Sequence, residues 1–139
     1  MPMNRDLNEE EGGGFTVDTR AGALLAAEAA ENKKGERIVI LDMREVTLIA
    51  DYFVIISARS VVHAESIADA VSEVLEEQGW SRLNRAAGSR SHWVLMDYGG
   101  VVVHILTEEE RQYYNLERLW GDAGVVDRAR VAAQSKSSL

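Results

Sequence analysis

The chain has 139 residues, enough for one domain with a full core and too few for two. Its apolar content of 46% and charged content of 27% are ordinary for a globular protein, and the absence of cysteine excludes a disulfide framework or a thiolate metal site. Acidic residues outnumber basic ones 23 to 15, giving a net charge of -8 with no Lys/Arg cluster to offset it. That balance argues against direct binding of nucleic acid and favours a basic protein as partner.

Residues 1–14 are polar, carry Asp6, Glu9, Glu10 and Glu11, and end in Gly12-Gly13-Gly14, the composition of a disordered acidic tail. They have the pattern of neither a signal peptide nor a transit peptide. No stretch approaches the roughly 18 apolar residues that span a bilayer, so a cytoplasmic protein without membrane association is expected. A single domain is expected over 15–122 and a mobile tail over 123–139.

A helix is predicted over about 17–33, capped by Thr16 or Asp18 and ended by Gly35, with Leu24 and Leu25 on its buried stripe. Its alanine-rich middle suits close packing. Ile38 to Leu41 and Tyr52 to Ile56 are short apolar runs without alternation, the pattern of strands buried on both faces in mid-sheet. Asp42, Arg44, Glu45 and Thr47 mark the loop between them. Ser60 caps a second helix reaching Gln78, with Ile67, Val71, Val74 and Leu75 at helical spacing and Gly79 as its stop. Trp80 to Ala86 is read as a third, weaker strand.

Trp93 to Asp97 and Val101 to Leu106 then form a hairpin, turning at Gly99-Gly100 or at Tyr98-Gly99. Both strands are apolar on both faces, so each side must be covered. Helices of the same chain can cover one side, and the other invites a second protein. A last helix starts at Thr107, where Thr107 and Glu110 match a capping box, with Tyr113, Leu116 and Trp120 as one buried stripe ended by Gly121. The order is helix, two strands, helix, three strands, helix: an α+β fold with a small mixed five-stranded sheet packed against three helices.

No catalytic constellation competes with the docking reading. A magnesium-dependent nucleotidyl transfer site needs a Gly-Ser turn and converging carboxylates. Gly88-Ser89 is followed by Asp97, but Gly99 stands where the second acid belongs, and beside Asp42 stands Arg44. Asp97 is read as shaping the turn or touching a partner. His63, His92 and His104 share no ligand spacing, so no metal or other cofactor is expected. Trp93 opens a strand beside a Gly-Ser loop, where it can serve as core or as an interface anchor.

The segments Ile38 to Asp42, Asp51 to Ile55, the helix with His63, Ile67, Ala68 and Val71, Trp93 to Gly99, Val101 to His104 and Tyr114 to Trp120 together resemble the ribosomal silencing factor (Iojap-related) family over roughly 38–122. The resemblance implies a nucleotidyltransferase-like scaffold without the catalytic acids. It also implies a protein, not an enzyme, that binds a basic ribosomal protein on the subunit-joining face of the large ribosomal subunit. Bound there, it would block association with the small subunit and repress translation when nutrients are scarce. Carried onto this chain, the contact surface is Trp93, Asp97, Tyr98 and His104, with Trp93 and Tyr98 burying apolar area. The chain departs from the pattern that the resemblance implies in two places: Gly100 stands where an acid is usual, and Ser57 to Ser60 replace a Thr/Gly-rich loop, with Arg59 adding a positive charge.

An apolar face left open in the free protein also predicts a weak homodimer. Two readings of other classes are a small nucleotide-dependent enzyme on the same scaffold and an acidic adaptor of another complex. The first requires nucleotide and magnesium binding, and the second requires partners other than the ribosome.

Overall fold

The computed structural model describes residues 18–84, 91–115, 118, 121 and 123–128. Helix α1 is Thr19–Asn32, capped by the Asp18 carboxylate, which accepts the Ala21 N–H at 3.1 Å. Its buried side is almost entirely alanine (Ala23, Ala26, Ala27, Ala29 and Ala30), so a second helix can approach closely. The helix ends in a Schellman turn. Lys34 takes the left-handed conformation at φ 65°, and the Gly35 N–H reaches back to the Ala30 carbonyl at 2.8 Å. The expected stop, Gly35, is instead needed for space, since a Cβ there would lie 2.9 Å from Ile56 Cγ2.

Strands β1 (Glu36–Asp42) and β2 (Tyr52–Ala58) pair antiparallel, and every residue of β2 is buried. Helix α2 (Val61–Glu77) is capped by the Ser60 hydroxyl, which accepts from the His63 N–H at 3.0 Å. It stops at Gly79, which has φ +93° and closes a second Schellman turn. Strands β3 (Trp93–Asp97) and β4 (Val101–Thr107) form the hairpin, followed by α3 (Glu108–Tyr114) and β5 (Gly124–Val125). The sheet order is β3-β4-β2-β1-β5, with β2 and β4 parallel and the other pairs antiparallel.

The two sheet faces have different cores. Ile40, Val54, Ile56, Met96, Val103 and Ile105 pack under α1 and α2. On the opposite face Leu41, Phe53, Ile55, Val102 and Leu106 form a second cluster with Met43 and Ala50 from the β1–β2 connection.

Four expectations differ from the structure. Among the described residues there are five strands and three helices, but the fifth strand is Gly124–Val125, beside β1, and not the segment expected before the hairpin. Of the strand expected over Trp80 to Ala86, residues 85 and 86 lie outside the described residues, and residues 80–84 are not a strand. They run along β3, where the Leu83 N–H reaches the Asp97 carbonyl, but the Asn84 side chain takes the place of ladder bonds, binding the Leu95 carbonyl and the Asp97 N–H. Thr107 forms no capping box. Its side chain makes no cap bond and its N–H is spent on the His92 carbonyl, because it is the last residue of β4. Helix α3 breaks at Asn115, which takes φ 48°, so Tyr113 is 79% exposed and not on a buried stripe. The rest of that expected stripe, Leu116 and Trp120, lies outside the described residues, as do both expected tails except for residues 123–128.

Candidate functional site

The period of two along each strand sorts the hairpin residues by face. Trp93, Leu95 and Asp97 of β3 lie opposite Leu106, His104 and Val102 of β4, on the face away from α1 and α2. Next to β4 on that face, β2 contributes Phe53, Ile55 and Ser57.

Trp93 and His104 come together there. The indole N–H of Trp93 donates to Nδ1 of His104 at 3.2 Å, a diagonal contact, since the residue directly across from Trp93 is Leu106. The rings continue into a ladder that rises from the core to the surface. Phe53 lies 4.7 Å from His104, Trp93 5.9 Å from His104, Tyr114 5.0 Å from Trp93, and Tyr113 4.9 Å from Tyr114. His104 is buried, Trp93 half-buried, and Leu95, Tyr114 and Tyr113 are 38%, 43% and 79% exposed. Burial pushes the His104 imidazole down to about 4, so the ring is neutral near pH 7 and Nδ1 is free to accept.

Asp97 is half-buried at the far end of β3, about 13 Å along the strand from Trp93. Its carboxylate accepts the Gly99 N–H at 2.8 Å and so shapes the turn, as one of the two sequence readings has it. Gly99 has φ +87°, whereas Gly100 needs no positive φ. Gly100 is small because α1 sits on it: a Cβ would lie 2.3 Å from Thr19 Cγ2.

Tyr98 does not join the site. It is only 4% exposed and packs in the core beneath the helices, where burial raises its phenol above the ordinary value. The expected pairing of Trp93 and Tyr98 on one surface is thereby corrected. Tyr98 directly follows Asp97, the last residue of β3, and its side chain turns to the face opposite that of Trp93 and Asp97.

Sequence reasoning missed Leu95 and the Tyr113–Tyr114 pair. The signal for the tyrosines was Asn115, one of the few non-glycine residues that readily ends a helix in the left-handed conformation. α3 itself is anchored from below. Arg111 is buried and donates to the Ser57 hydroxyl at 3.0 Å and to the Arg37 carbonyl, while Glu108 pairs with Arg37. Burial would raise the Glu108 carboxyl, but Ser57 and Arg37 together hold it below the ordinary value. Glu109 and Glu110 precede the tyrosines by three to five positions, so α3 carries acids beside the aromatic surface.

Neither carboxylate weighed for magnesium is placed for it. Asp42 is engaged by Arg44, whose Nε and guanidinium donate at 2.9 and 2.7 Å and hold the carboxyl below its ordinary value. Gly88-Ser89 lies outside the described residues. Among the described residues no group of three or more His, Cys, Asp or Glu side chains is placed to hold a metal, and no helix is long and apolar enough to cross a membrane.

Fold and site together define an α+β domain with an aromatic, acid-flanked face opposite α1 and α2. The model of the family "Ribosomal silencing factor during starvation" matches residues 16–138. The chain is 43% identical over 103 residues to the ribosomal silencing factor of Halalkalibacterium halodurans, covering 74% of this chain and 88% of that one. It is 41% identical over 103 residues to that of Bacillus subtilis, covering 74% and 87%. A crystal structure of a Chromobacterium violaceum protein superposes with a TM-score of 0.72 at 31% identity, covering 76% of this chain and 88% of that one. The chain belongs to the ribosomal silencing factor family.

Proposed function

We infer that this protein is a ribosomal silencing factor acting by occlusion. It docks on a basic ribosomal protein at the subunit-joining face of the large ribosomal subunit, excludes the small subunit, and represses translation when nutrients are limiting. The observation that carries this reading is the apolar surface of Trp93, Leu95, Tyr113 and Tyr114 on a chain of net charge -8. Large half-exposed rings supply the apolar area of an interface hot spot, and the acids supply orientation and encounter rate toward a basic surface. Steric exclusion needs no chemical step, so the protein acts without catalysis and in the cytoplasm, where its target is assembled. Free of the ribosome, the same surface pairs weakly with a second copy.

The test is co-sedimentation with separated large and small ribosomal subunits across a salt series, together with a subunit-joining assay. Selective, salt-weakened binding to the large subunit and loss of joining are expected. Trp93→Ala should reduce that binding by about 30-fold or more, the scale of a hot-spot residue, with an unchanged circular dichroism spectrum. Equal binding to both subunits, or none, would overturn the reading.

A further inference from the structure

His104 sits among Phe53, Ile55, Val102 and Leu106, and is 5% exposed. Its Nε2 is buried without a hydrogen-bond partner among the described residues. Burying an imidazole in this way costs stability, and a branched aliphatic residue would fill the same place without that cost. What the histidine adds is a single acceptor atom, Nδ1, and that atom faces the indole N–H of Trp93. Tryptophan is a donor only at that nitrogen, so the bond sets which edge of the indole turns into the sheet.

The backbone at Trp93 is held from a second direction. The Ser91 hydroxyl donates to the Trp93 carbonyl at 2.7 Å and accepts its N–H at 3.2 Å. With backbone and ring edge both fixed, the indole meets Tyr114 at an interplanar angle of 53°. His104 itself is too deeply buried to meet a partner.

We propose that His104 is a positioning residue of the docking surface: through Nδ1 it holds the Trp93 indole in the orientation that presents Trp93 and Tyr114 as one aromatic face to a protein partner. The inference rests on the docking reading above and replaces a contact role for His104 with an indirect one. The neutral ring keeps Nδ1 an acceptor, and the residues paired with His104 across the sheet, Ile55 of β2 and Leu95 of β3, carry no charge. A prearranged indole spares the ordering cost that a freely turning one meets on docking.

The experiment uses the full chain and two readouts. One is the Trp93 indole N–H resonance in a ¹⁵N-labelled sample, assigned by comparison with Trp93→Phe. The other is affinity for purified large subunits. His104→Phe keeps a ring but removes the acceptor, and His104→Asn restores an acceptor near the same place. In the parent protein the indole resonance should be shifted and protected from exchange. His104→Phe should move it and weaken binding roughly three- to tenfold, and His104→Asn should recover much of both.

His104→Phe that binds as tightly as the parent would overturn the proposal, as would His104→Asn that binds no better than His104→Phe. Should His104→Phe fail to fold, His104→Leu takes its place. In any case, a parent indole resonance in the free, fast-exchanging position is enough by itself to overturn the proposal. Failure of the parent protein to bind large subunits is a distinct result, which removes the docking reading and the proposal with it.

Discussion

Gly100, in the turn of the β3–β4 hairpin, and Thr19, the first residue of α1, are in contact so close that no side chain fits between them. The Thr19 hydroxyl donates to Asp51 Oδ2 at 2.9 Å, and the Asp51 and Tyr52 N–H groups both reach the Gly100 carbonyl, at 2.8 and 3.0 Å. Packing against α1 therefore leaves room for nothing larger than glycine at position 100. Gly100→Ala is expected to destabilise the fold by about 1–3 kcal/mol, the cost of overpacking a closed contact. Adding Thr19→Ser, which removes the obstructing methyl and keeps the hydroxyl, should recover most of that loss in urea unfolding. Simple additivity of the two changes would refute the contact.

The buried imidazole of His104 ties stability to pH. Its value falls from 6.5 to about 4 on folding, because burial disfavours the charged ring. Between those values the unfolded chain binds the proton and the folded chain does not. The contribution is thus fully present above pH 6.5 and is lost as pH falls toward 4. The loss amounts to about 3 kcal/mol at most. His104→Leu lacks it while keeping every carboxylate of the parent, so the stability difference between the two should move in favour of the variant by that order from pH 7 to pH 4. Parallel pH profiles would show that His104 is not held neutral by the fold.

His63 joins the end of α1 to the start of α2. Its Nε2–H donates to the Lys33 carbonyl at 2.8 Å and its Nδ1 accepts the Arg59 N–H at 2.9 Å. Both atoms satisfy backbone groups that secondary structure leaves open at this corner. His63→Ala should lower stability by about 1–2 kcal/mol, and His63→Phe should recover little, since the shape returns without the bonds. A phenylalanine variant as stable as the parent would reduce His63 to packing.

Much of the scaffold is legible because its signals are local. Asp18 and Ser60 as caps, Gly79 as a stop, the alanine run of α1 and the unalternating strands each depend on a few neighbouring residues. The misses depend on distant ones. Gly124–Val125 carries no strand signal of its own and becomes one only by pairing with Leu41 and Asp42. Residues 80–84 look strand-like, but Trp80 is drawn over Gly22 of α1, where a Cβ would lie 2.4 Å from the indole. Thr107 and Glu110 match a cap pattern, yet the threonine N–H belongs to the sheet. Trp93 and His104, both singled out from the sequence, share one sheet face, but their registry was not legible, because cross-strand pairing is settled by the turn and not by composition. The face of Tyr98 was not legible either, since the sequence left open whether the turn begins at Tyr98 or after it. In the structure it follows the last residue of β3 and turns under the helices.

That difference of face separates two tyrosines by experiment. Tyr98 is buried under the helices beside Met96 and Val101, whereas Tyr113 stands 79% exposed at the end of the aromatic ladder, edge-on to Tyr114. Tyr98→Ala should open a cavity and cost about 3–5 kcal/mol. Tyr98→Phe, which keeps the ring in place, should leave binding to the large subunit unchanged. Tyr113→Ser should behave in the opposite way. Its stability should stay within about 0.5 kcal/mol of the parent, as for most surface changes. Its affinity should fall by about fivefold or more, because the outermost ring of the docking surface is gone. Urea unfolding and co-sedimentation of the three variants decide the matter. Loss of binding in Tyr98→Phe with retention in Tyr113→Ser would move the docking surface to the helix side of the sheet.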